Sequence, residues 1–144
     1  MWQRIQTLYL ALSTGLVAVL LFSTMATAIG TDGQTASIAY AEKLPYLYLM
    51  ISILFANLFA LVIFKHRVLQ MRVATIASLL LIGFQVWIAV DYFKADEGIV
   101  FKYTAIFPLV AAILDILAVK GIASDILVAE SVNHLRKSKK NRKR

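Results

Sequence analysis

The sequence predicts an all-α membrane protein, an antiparallel bundle of four transmembrane helices with both termini in the cytoplasm. Composition is the first observation behind this prediction: 60% of the 144 residues are hydrophobic, 16% are charged, and the mean hydropathy is +0.77. Soluble domains have roughly 45–50% apolar and roughly 25% charged residues. The second observation is that long uncharged runs separate a few clusters of charge, as expected of a chain surrounded by lipid. The third is the uneven distribution of lysine and arginine between the predicted loops.

Each predicted span falls in an apolar run of the length that a bilayer requires. A spanning helix needs roughly 20 mostly apolar residues. The first three runs contain no charged side chain, and the fourth is long enough only if Asp115 lies inside the span. Pro45 suits the first turn of the second helix, whereas Pro108 predicts a kink within the fourth. The predicted helices cover residues 7–29, 44–64, 73–93 and 99–119.

The first apolar segment has an alternative interpretation as a secretory signal peptide. Arg4 precedes the apolar stretch, and Ala26-Thr27-Ala28 has the small-residue pattern of a cleavage site. The stretch is longer than the apolar region of about 7–15 residues that is usual in signal peptides. We therefore expect the segment to be retained as the first helix.

Basic residues mark the cytoplasmic side of a membrane protein. The side that holds Arg4, residues 65–72 and residues 120–144 carries twelve lysines and arginines, and the opposite side carries three. Tyrosine and tryptophan also fall at the predicted helix ends, where amphipathic rings meet the interface. Both termini are therefore predicted to be cytoplasmic, and the chain is predicted to be a multi-pass protein of the bacterial inner (cytoplasmic) membrane.

Asp115 is the one ionisable residue inside a predicted span, and the other spans offer polar residues at a similar depth. At about 1.5 Å per residue, these side chains share one layer of the inner leaflet. One interpretation is a proton or cation site, or a substrate contact. The other is hydrogen bonding between helices, or pairing of Asp115 with Lys120 or a loop arginine. The predicted intramembrane polar layer consists of Asp115, Asn57, Ser78, Ser13 and Thr14.

The sequence lacks the motifs that usually carry catalysis. The chain has no cysteine, which excludes a disulfide framework and thiolate metal sites. His66 and His134 lie outside the predicted spans, so they cannot ligate haem within the bundle. A zinc-binding pair of helical histidines, an intramembrane Ser–His dyad and a glycine-rich phosphate loop are also absent from the sequence. We therefore expect no enzymatic activity, no cofactor and no metal site.

Beyond the fourth span, apolar residues recur at helical spacing from Ile122 to Val132, which predicts a weakly amphipathic cytoplasmic helix over residues 120–136. Residues 137–144 follow as a basic tail, and such blocks of like charge are typical of disordered segments. We expect this tail to anchor the topology or to bind anionic lipid, ribosomal RNA or an acidic protein. The predicted binding residues are Arg136, Lys137, Lys139, Lys140, Arg142, Lys143 and Arg144.

Three segments of the chain resemble a known family. Residues 1–10 (MWQRIQTLYL), 117–122 (LAVKGI) and 128–136 (VAESVNHLR) are similar to those of small four-helix membrane proteins of Bacteroidota catalogued as domain of unknown function 4293. The resemblance covers essentially the whole chain, and Gln3-Arg4-Ile5-Gln6-Thr7 is its sharpest motif. It implies an inner-membrane protein and carries over no catalytic residue.

The predicted function is that of a non-enzymatic accessory or scaffold subunit of a larger membrane complex. Its expected partners are the lipid bilayer and another membrane protein or copies of itself, with anionic lipid or ribosomal RNA at the tail. The alternative is a small proton-coupled transporter that uses Asp115. Because four short helices rarely enclose a path alone, transport predicts a defined homo-oligomer, whereas an accessory role predicts a hetero-complex.

Overall fold

The structure, a computed structural model, describes residues 2–95 and 97–142, with side chains from residue 5 onward. Most of the described chain is helical, and short strands and 3₁₀ turns lie in the connections. The helices are α1 Trp2–Leu21, α2 Leu44–Val62, α3 Arg67–Lys94 and α4 Phe107–Asn141. The strands are β1 Thr24–Ile29, β2 Thr35–Ala39 and β3 Ile99–Phe101, and the 3₁₀ helices are Tyr40–Glu42 and Tyr103–Ile106.

Three helical segments are long and apolar enough to cross a membrane: Leu44–Val62, Arg67–Lys94 and Tyr103–Asn141. The apolar part of α1, Ile5–Leu21, has 17 residues, at the short end of the spanning range of about 17–25 residues. Large apolar side chains such as Phe55 lie on the outside of the helices, where hydrocarbon would surround them. The apolar character of the chain therefore lies on its surface as well as in its core.

The prediction of an all-α fold is wrong at one end of the molecule, where three strands form an antiparallel sheet in the order β2-β1-β3. The first helix ends at Leu21 instead of continuing to residue 29. The amide groups of Phe22 and Ser23 bond to carbonyl groups three residues earlier, and the Ser23 hydroxyl donates to the Val19 carbonyl. These bonds satisfy carbonyl groups of the last helical turn, and the chain then continues as β1.

β1 is the central strand of the sheet, and its residue Ala26 is fully buried between Ile38 on one side and Phe101 on the other. The turn between β1 and β2 contains Gly33 at φ 74°, a backbone conformation that glycine adopts without steric cost. Cleavage after Ala28 would therefore remove α1 and most of the strand on which β2 and β3 pair.

The fourth helix starts later and ends later than predicted. It begins at Phe107 instead of residue 99, because β3 and a 3₁₀ helix occupy residues 99–106. Pro108 lies in the first turn of α4, where its missing N–H costs nothing, so it starts the helix and does not kink it. The predicted cytoplasmic helix 120–136 is part of the same helix.

The predicted disordered tail is also helical, since α4 continues to Asn141. Lysine and arginine are good helix formers, and their charges interact favourably with the C-terminal end of a helix. Lys143 and Arg144 lie outside the described residues. Elsewhere, α2 begins at Leu44 as expected, and α3 begins at Arg67, six residues before the predicted start.

Each helix packs against two others: α1 against α2 and α4, and α3 against α2 and α4. Near the sheet the core is bulky and contains Tyr40, Tyr46 and Phe84. Farther from the sheet it is built mainly from alanines, with one buried side chain from each helix. These side chains are Leu10, Ala60, Ala74 and Ala118. Small residues allow the helix backbones to approach closely.

Candidate functional site

Three of the predicted polar side chains meet between the helices. Ser13 on α1, Asn57 on α2 and Asp115 on α4 are each 0% exposed, and we call them the polar cluster. The Asn57 Nδ2 atom donates a hydrogen bond to the Ser13 Oγ atom at 3.2 Å. Both residues neighbour the Asp115 carboxyl group, but within the described chain neither Asp115 oxygen has a partner in hydrogen-bond geometry.

The other two members of the predicted layer bond to their own helices. The Ser78 hydroxyl donates to the Thr75 carbonyl at 2.8 Å, and the Thr14 hydroxyl donates to the Leu10 carbonyl at 2.7 Å. Serine and threonine in helices often bond to the preceding turn in this way. The hydroxyl bonds given for Ser78 and Thr14 therefore stay within their own helices, although Ser78 is also buried.

No cation pairs with Asp115 among the residues that the structure describes. The two ion pairs there join Lys43 to Asp91 and Arg67 to Asp125. The expected pairing of Asp115 with Lys120 or a loop arginine is therefore not found in this structure. A buried carboxyl group without a cation or a complete hydrogen-bond set is costly, which makes Asp115 the least satisfied polar group of the core.

A second polar junction joins α1, α3 and α4, ten residues along α4 from Asp115. The Gln6 Nε2 atom donates to the Asp125 Oδ2 atom at 2.9 Å, and the Arg67 Nη1 atom donates to the same oxygen at 3.3 Å. We call these three residues the Asp125 junction. Sequence reasoning missed it, because it depends on how the helices rotate against each other.

Gly121 lies at the closest approach of α1 and α4 beside this junction. A Cβ atom at Gly121 would lie 2.9 Å from Gln6 Cγ, a distance that real Cβ contacts essentially never show, and 3.0 Å from Gln6 Nε2, which is tight. Gln6 and Gly121 belong to two of the segments that carry the family resemblance. The fold therefore brings these distant parts of the sequence together. The family resemblance of both segments was the one feature of the sequence that pointed to this contact.

A cavity of about 800 Å³ opens beside the Asp125 junction, between α1 and α4. Tyr9 and Leu117 form part of its apolar wall, and Arg67, Lys120 and Ser124 supply polar groups. A smaller cavity of about 250 Å³ lies on the α2 side of Gln6 and Arg67. The larger cavity is within the size range of small-molecule sites, about 300–1,000 Å³.

At the sheet end, a polar contact joins the start of α2 to the end of α3. The Asp91 Oδ2 atom accepts hydrogen bonds from Lys43 Nζ at 3.0 Å and from Tyr46 Oη at 2.5 Å. The Lys43 ammonium group also lies 5.3 Å from the centre of the Tyr46 ring. Nearby, burial raises the pKa of the Tyr40 phenol, and the Thr104 hydroxyl partly offsets this effect. The bonds to Asp91 hold the start of α2 against the end of α3.

The last part of α4 extends beyond the buried core, and only its first residues, Val128 and Ala129, line the cavity beside α1. Every side chain of residues 127–141, which we call the α4 extension, is exposed. Its apolar side chains include Val128, Val132 and Leu135, which are 57–71% exposed. The basic residues of the predicted tail that belong to the extension, or directly follow it, are Arg136, Lys137, Lys139, Lys140 and Arg142.

The described residues contain no group of three or more histidine, cysteine, aspartate or glutamate side chains that could hold a metal ion. The polar cluster holds one carboxyl group, one amide and one hydroxyl group. This arrangement can bind a proton or a polar group, but it has neither a nucleophile–base pair nor a set of metal ligands.

Apolar helices long enough to cross a bilayer, with a buried acidic side chain, Asp115, between them, define a helical protein able to reside in a membrane. The model of the family described as domain of unknown function (DUF4293) matches residues 2–135. This match covers nearly the whole chain, and the protein belongs to that family. No curated protein and no solved structure matches the chain.

Proposed function

We propose that this protein is a non-enzymatic, multi-pass protein of the bacterial inner membrane that serves as an accessory or scaffold subunit of a larger complex. The observation that carries the proposal is the α4 extension. A helix of 35 residues is about 52 Å long, whereas the hydrocarbon core is about 30 Å thick. A spanning α4 therefore leaves the membrane as a rigid helix that projects roughly 20 Å into water.

The partner that fits the α4 extension best is an acidic protein. Val128, Val132 and Leu135 follow the i, i+4, i+7 spacing of one helix face, and a run of cations begins directly after Leu135. Such a face suits an apolar groove with an acidic rim, since grooves recognise helices through anchors at this spacing. Lipid or RNA would use the cations and leave the apolar side chains in water.

Four spans with both termini in the cytoplasm are the topology that best fits this role. The excess of basic residues on one side supports this orientation. The packing of α1 against α2 and α4 supports α1 as a span, even though its apolar part is short. The sheet would then lie on the periplasmic side, and the Asp125 junction would lie at the cytoplasmic interface.

Single cysteines in this cysteine-free chain test the orientation directly. An impermeant thiol reagent is expected to label Thr35→Cys and Glu97→Cys in intact cells, because both positions are exposed at the sheet end. Ser138→Cys in the α4 extension is expected to react only after the cells are lysed. Labelling of Ser138→Cys in intact cells would contradict the four-span topology. Detection of a mature protein that begins after Ala28 would show that the first segment is cleaved, and the chain would then have one span fewer.

Deletion of the α4 extension tests the scaffold role. A chain that ends at Ile126 retains the Asp125 junction, so we expect it to insert and fold normally but to lose its cytoplasmic partner. The measurement is co-purification in mild detergent followed by mass spectrometry. If the truncated chain keeps all partners of the intact protein, the extension is only a topology anchor and the scaffold proposal is wrong.

Paired substitutions test whether the apolar face formed by Val128, Val132 and Leu135 is the part of the helix that binds the partner. Val132→Ser together with Leu135→Ser is expected to reduce partner recovery about tenfold, because apolar anchors dominate helix-in-groove binding. Leu127→Ser is the matched control, since Leu127 is equally exposed but lies off the Val128 face. Equal losses in both variants, or a partner removed by ribonuclease, would count against an acidic protein.

The second candidate function is proton coupling at Asp115, and the unpartnered carboxyl oxygens favour it. Asp115→Asn preserves the shape of the side chain and is expected to change the free energy of unfolding by less than about 1 kcal/mol. The reason is that neither Asp115 oxygen has a hydrogen-bond partner in the described chain that the substitution would remove. If the group exchanges protons, infrared difference spectra recorded across a pH step contain a carboxyl band that this variant lacks.

Asp125→Asn is the matched control for this measurement, because it removes another carboxyl group from the same helix. A spectrum unchanged by Asp115→Asn, or a normal cellular phenotype for that variant, would exclude the transport function. A purified homo-oligomer would favour transport, and a hetero-complex would favour the scaffold role.

A further inference from the structure

We propose that the cavity beside the Asp125 junction binds one anionic phospholipid, with its phosphate between Arg67 and Lys120 and an acyl chain against the apolar wall. The proposal rests on the membrane placement proposed above but not on the scaffold role. It concerns a defined cavity between α1 and α4, which the α4 extension borders only at its first residues, Val128 and Ala129.

The apolar part of the cavity points toward the interior of the proposed membrane. Leu117 precedes Asp125 by eight residues, about 12 Å along α4, and Tyr9 lies about one turn deeper along α1 than Gln6. Leu117 is 43% exposed, so its side chain is open to an apolar ligand. A volume of about 800 Å³ admits a headgroup and the upper part of a chain.

The polar part of the cavity carries an excess of positive charge. Lys120 and Ser124 lie one and two turns further along α4 than Leu117, toward the proposed cytoplasmic surface. Lys120 is exposed and takes no part in the ion pairs of the described chain. Arg67 uses one guanidinium nitrogen for Asp125, and a guanidinium group has five N–H donors. Two cations therefore face one carboxylate that is already engaged.

This combination selects a lipid phosphate over other anions. A free phosphate would use the cations and the Ser124 hydroxyl but would leave the apolar wall exposed to water. An anionic phospholipid satisfies both parts, and it is abundant at an interface where each cation contributes about 1 kcal/mol to its attraction. The position of the cavity, at the level where α3 begins, is the level of a headgroup if Arg67 marks the cytoplasmic end of the spans.

The test uses the full-length protein in vesicles of about equal parts phosphatidylglycerol and phosphatidylethanolamine, followed by mild extraction and native mass spectrometry. We expect one retained phosphatidylglycerol for each chain. Lys120→Gln is expected to reduce this retention about fivefold, the effect of removing one interfacial charge. Ser124→Phe is expected to abolish it, because the ring occupies the polar part of the cavity, where the phosphate would bind, without changing any charge.

Two controls distinguish lipid bound in the cavity from lipid attracted by positive charge elsewhere on the protein. Lys65→Gln removes a nearby lysine that does not line the cavity, and deletion of residues 137–144 removes the basic tail. Both controls are expected to retain the lipid, including when the deletion removes a scaffold partner. Thermal unfolding of each variant confirms that the fold persists.

Three results would overturn the proposal. The first is retention of phosphatidylglycerol by both Lys120→Gln and Ser124→Phe. The second is equal retention of phosphatidylethanolamine, and the third is displacement by inorganic phosphate alone, which would assign the cavity to a soluble anion. Any of these results, obtained with the expected cysteine labelling, would refute the lipid site and leave the membrane placement intact.

Discussion

Phe84→Ala is expected to lower the free energy of unfolding by about 3–5 kcal/mol, the cost of removing a buried aromatic ring and leaving a cavity. Phe84 is 1% exposed, and its ring meets Tyr46 edge to face at 5.2 Å and Tyr40 at 6.3 Å. The ring therefore connects α3 to α2 and to the 3₁₀ helix that follows β2. Unfolding of the detergent-solubilised protein by increasing denaturing detergent measures the change.

Phe93→Ala is the matched control, because it makes the same substitution in the same helix at a side chain that is 84% exposed. Surface substitutions usually change stability by no more than about 0.5 kcal/mol. Equal effects of Phe84→Ala and Phe93→Ala would mean that the aromatic cluster is not part of the stable core.

Gly121→Val is expected to destabilise the protein by about 1–3 kcal/mol, which is the usual cost of overpacking. The added carbon atoms would overlap Gln6 near its Cγ atom, which is held by the hydrogen bond from Nε2 to Asp125. Relief of the overlap requires α1 and α4 to separate or Gln6 to leave Asp125. The same unfolding assay measures the loss.

A double substitution tests whether this contact is the cause. Gln6→Ala removes the atoms that the introduced valine side chain would meet, so Gln6→Ala combined with Gly121→Val is expected to cost less than the sum of the two single changes. Gly15→Val is the control, because a Cβ atom at Gly15 meets nothing within 4 Å. Additive effects of the two changes would show that Gly121 has another role.

The sequence predicted the helices best where a charge-free run coincided with a recognisable helix start. α2 begins at Leu44 as predicted, because Lys43 ends the preceding polar segment and Pro45 lies in the first turn. The end of α1 was wrong, because Thr24–Ile29 lies in the same uncharged run and hydropathy does not distinguish a strand from a helix. β pairing with distant segments decides that difference, and no local pattern records it.

Pro108 illustrates a second limit, because proline has opposite meanings at the start and in the middle of a helix. Hydropathy extended the fourth span back to residue 99, which placed Pro108 inside it and predicted a kink. The pairing of Ile99–Phe101 with β1 moves the helix start to Phe107. Likewise, the density of cations predicted disorder in a segment that α4 continues as helix.

The candidate site was predictable in depth but not in rotation. Ser13, Asn57 and Asp115 do lie close together, because counting residues along a helix estimates depth well. Whether a side chain faces a neighbour depends on rotation about the helix axis, which hydropathy leaves open. The bond of the Ser78 hydroxyl to its own helix and the Asp125 junction both depend on this rotation, and neither was predicted.

The central position of β1 has a consequence for the order in which the chain is synthesised. β2 follows β1 after a short turn, so this hairpin can form early, whereas β3 appears only after α2 and α3 have been made. Until then, one edge of β1 presents unpaired N–H and C=O groups, which can template pairing with other chains. A nascent chain that stalls before Ile99 is therefore exposed to intermolecular strand pairing, and arrival of β3 ends that exposure.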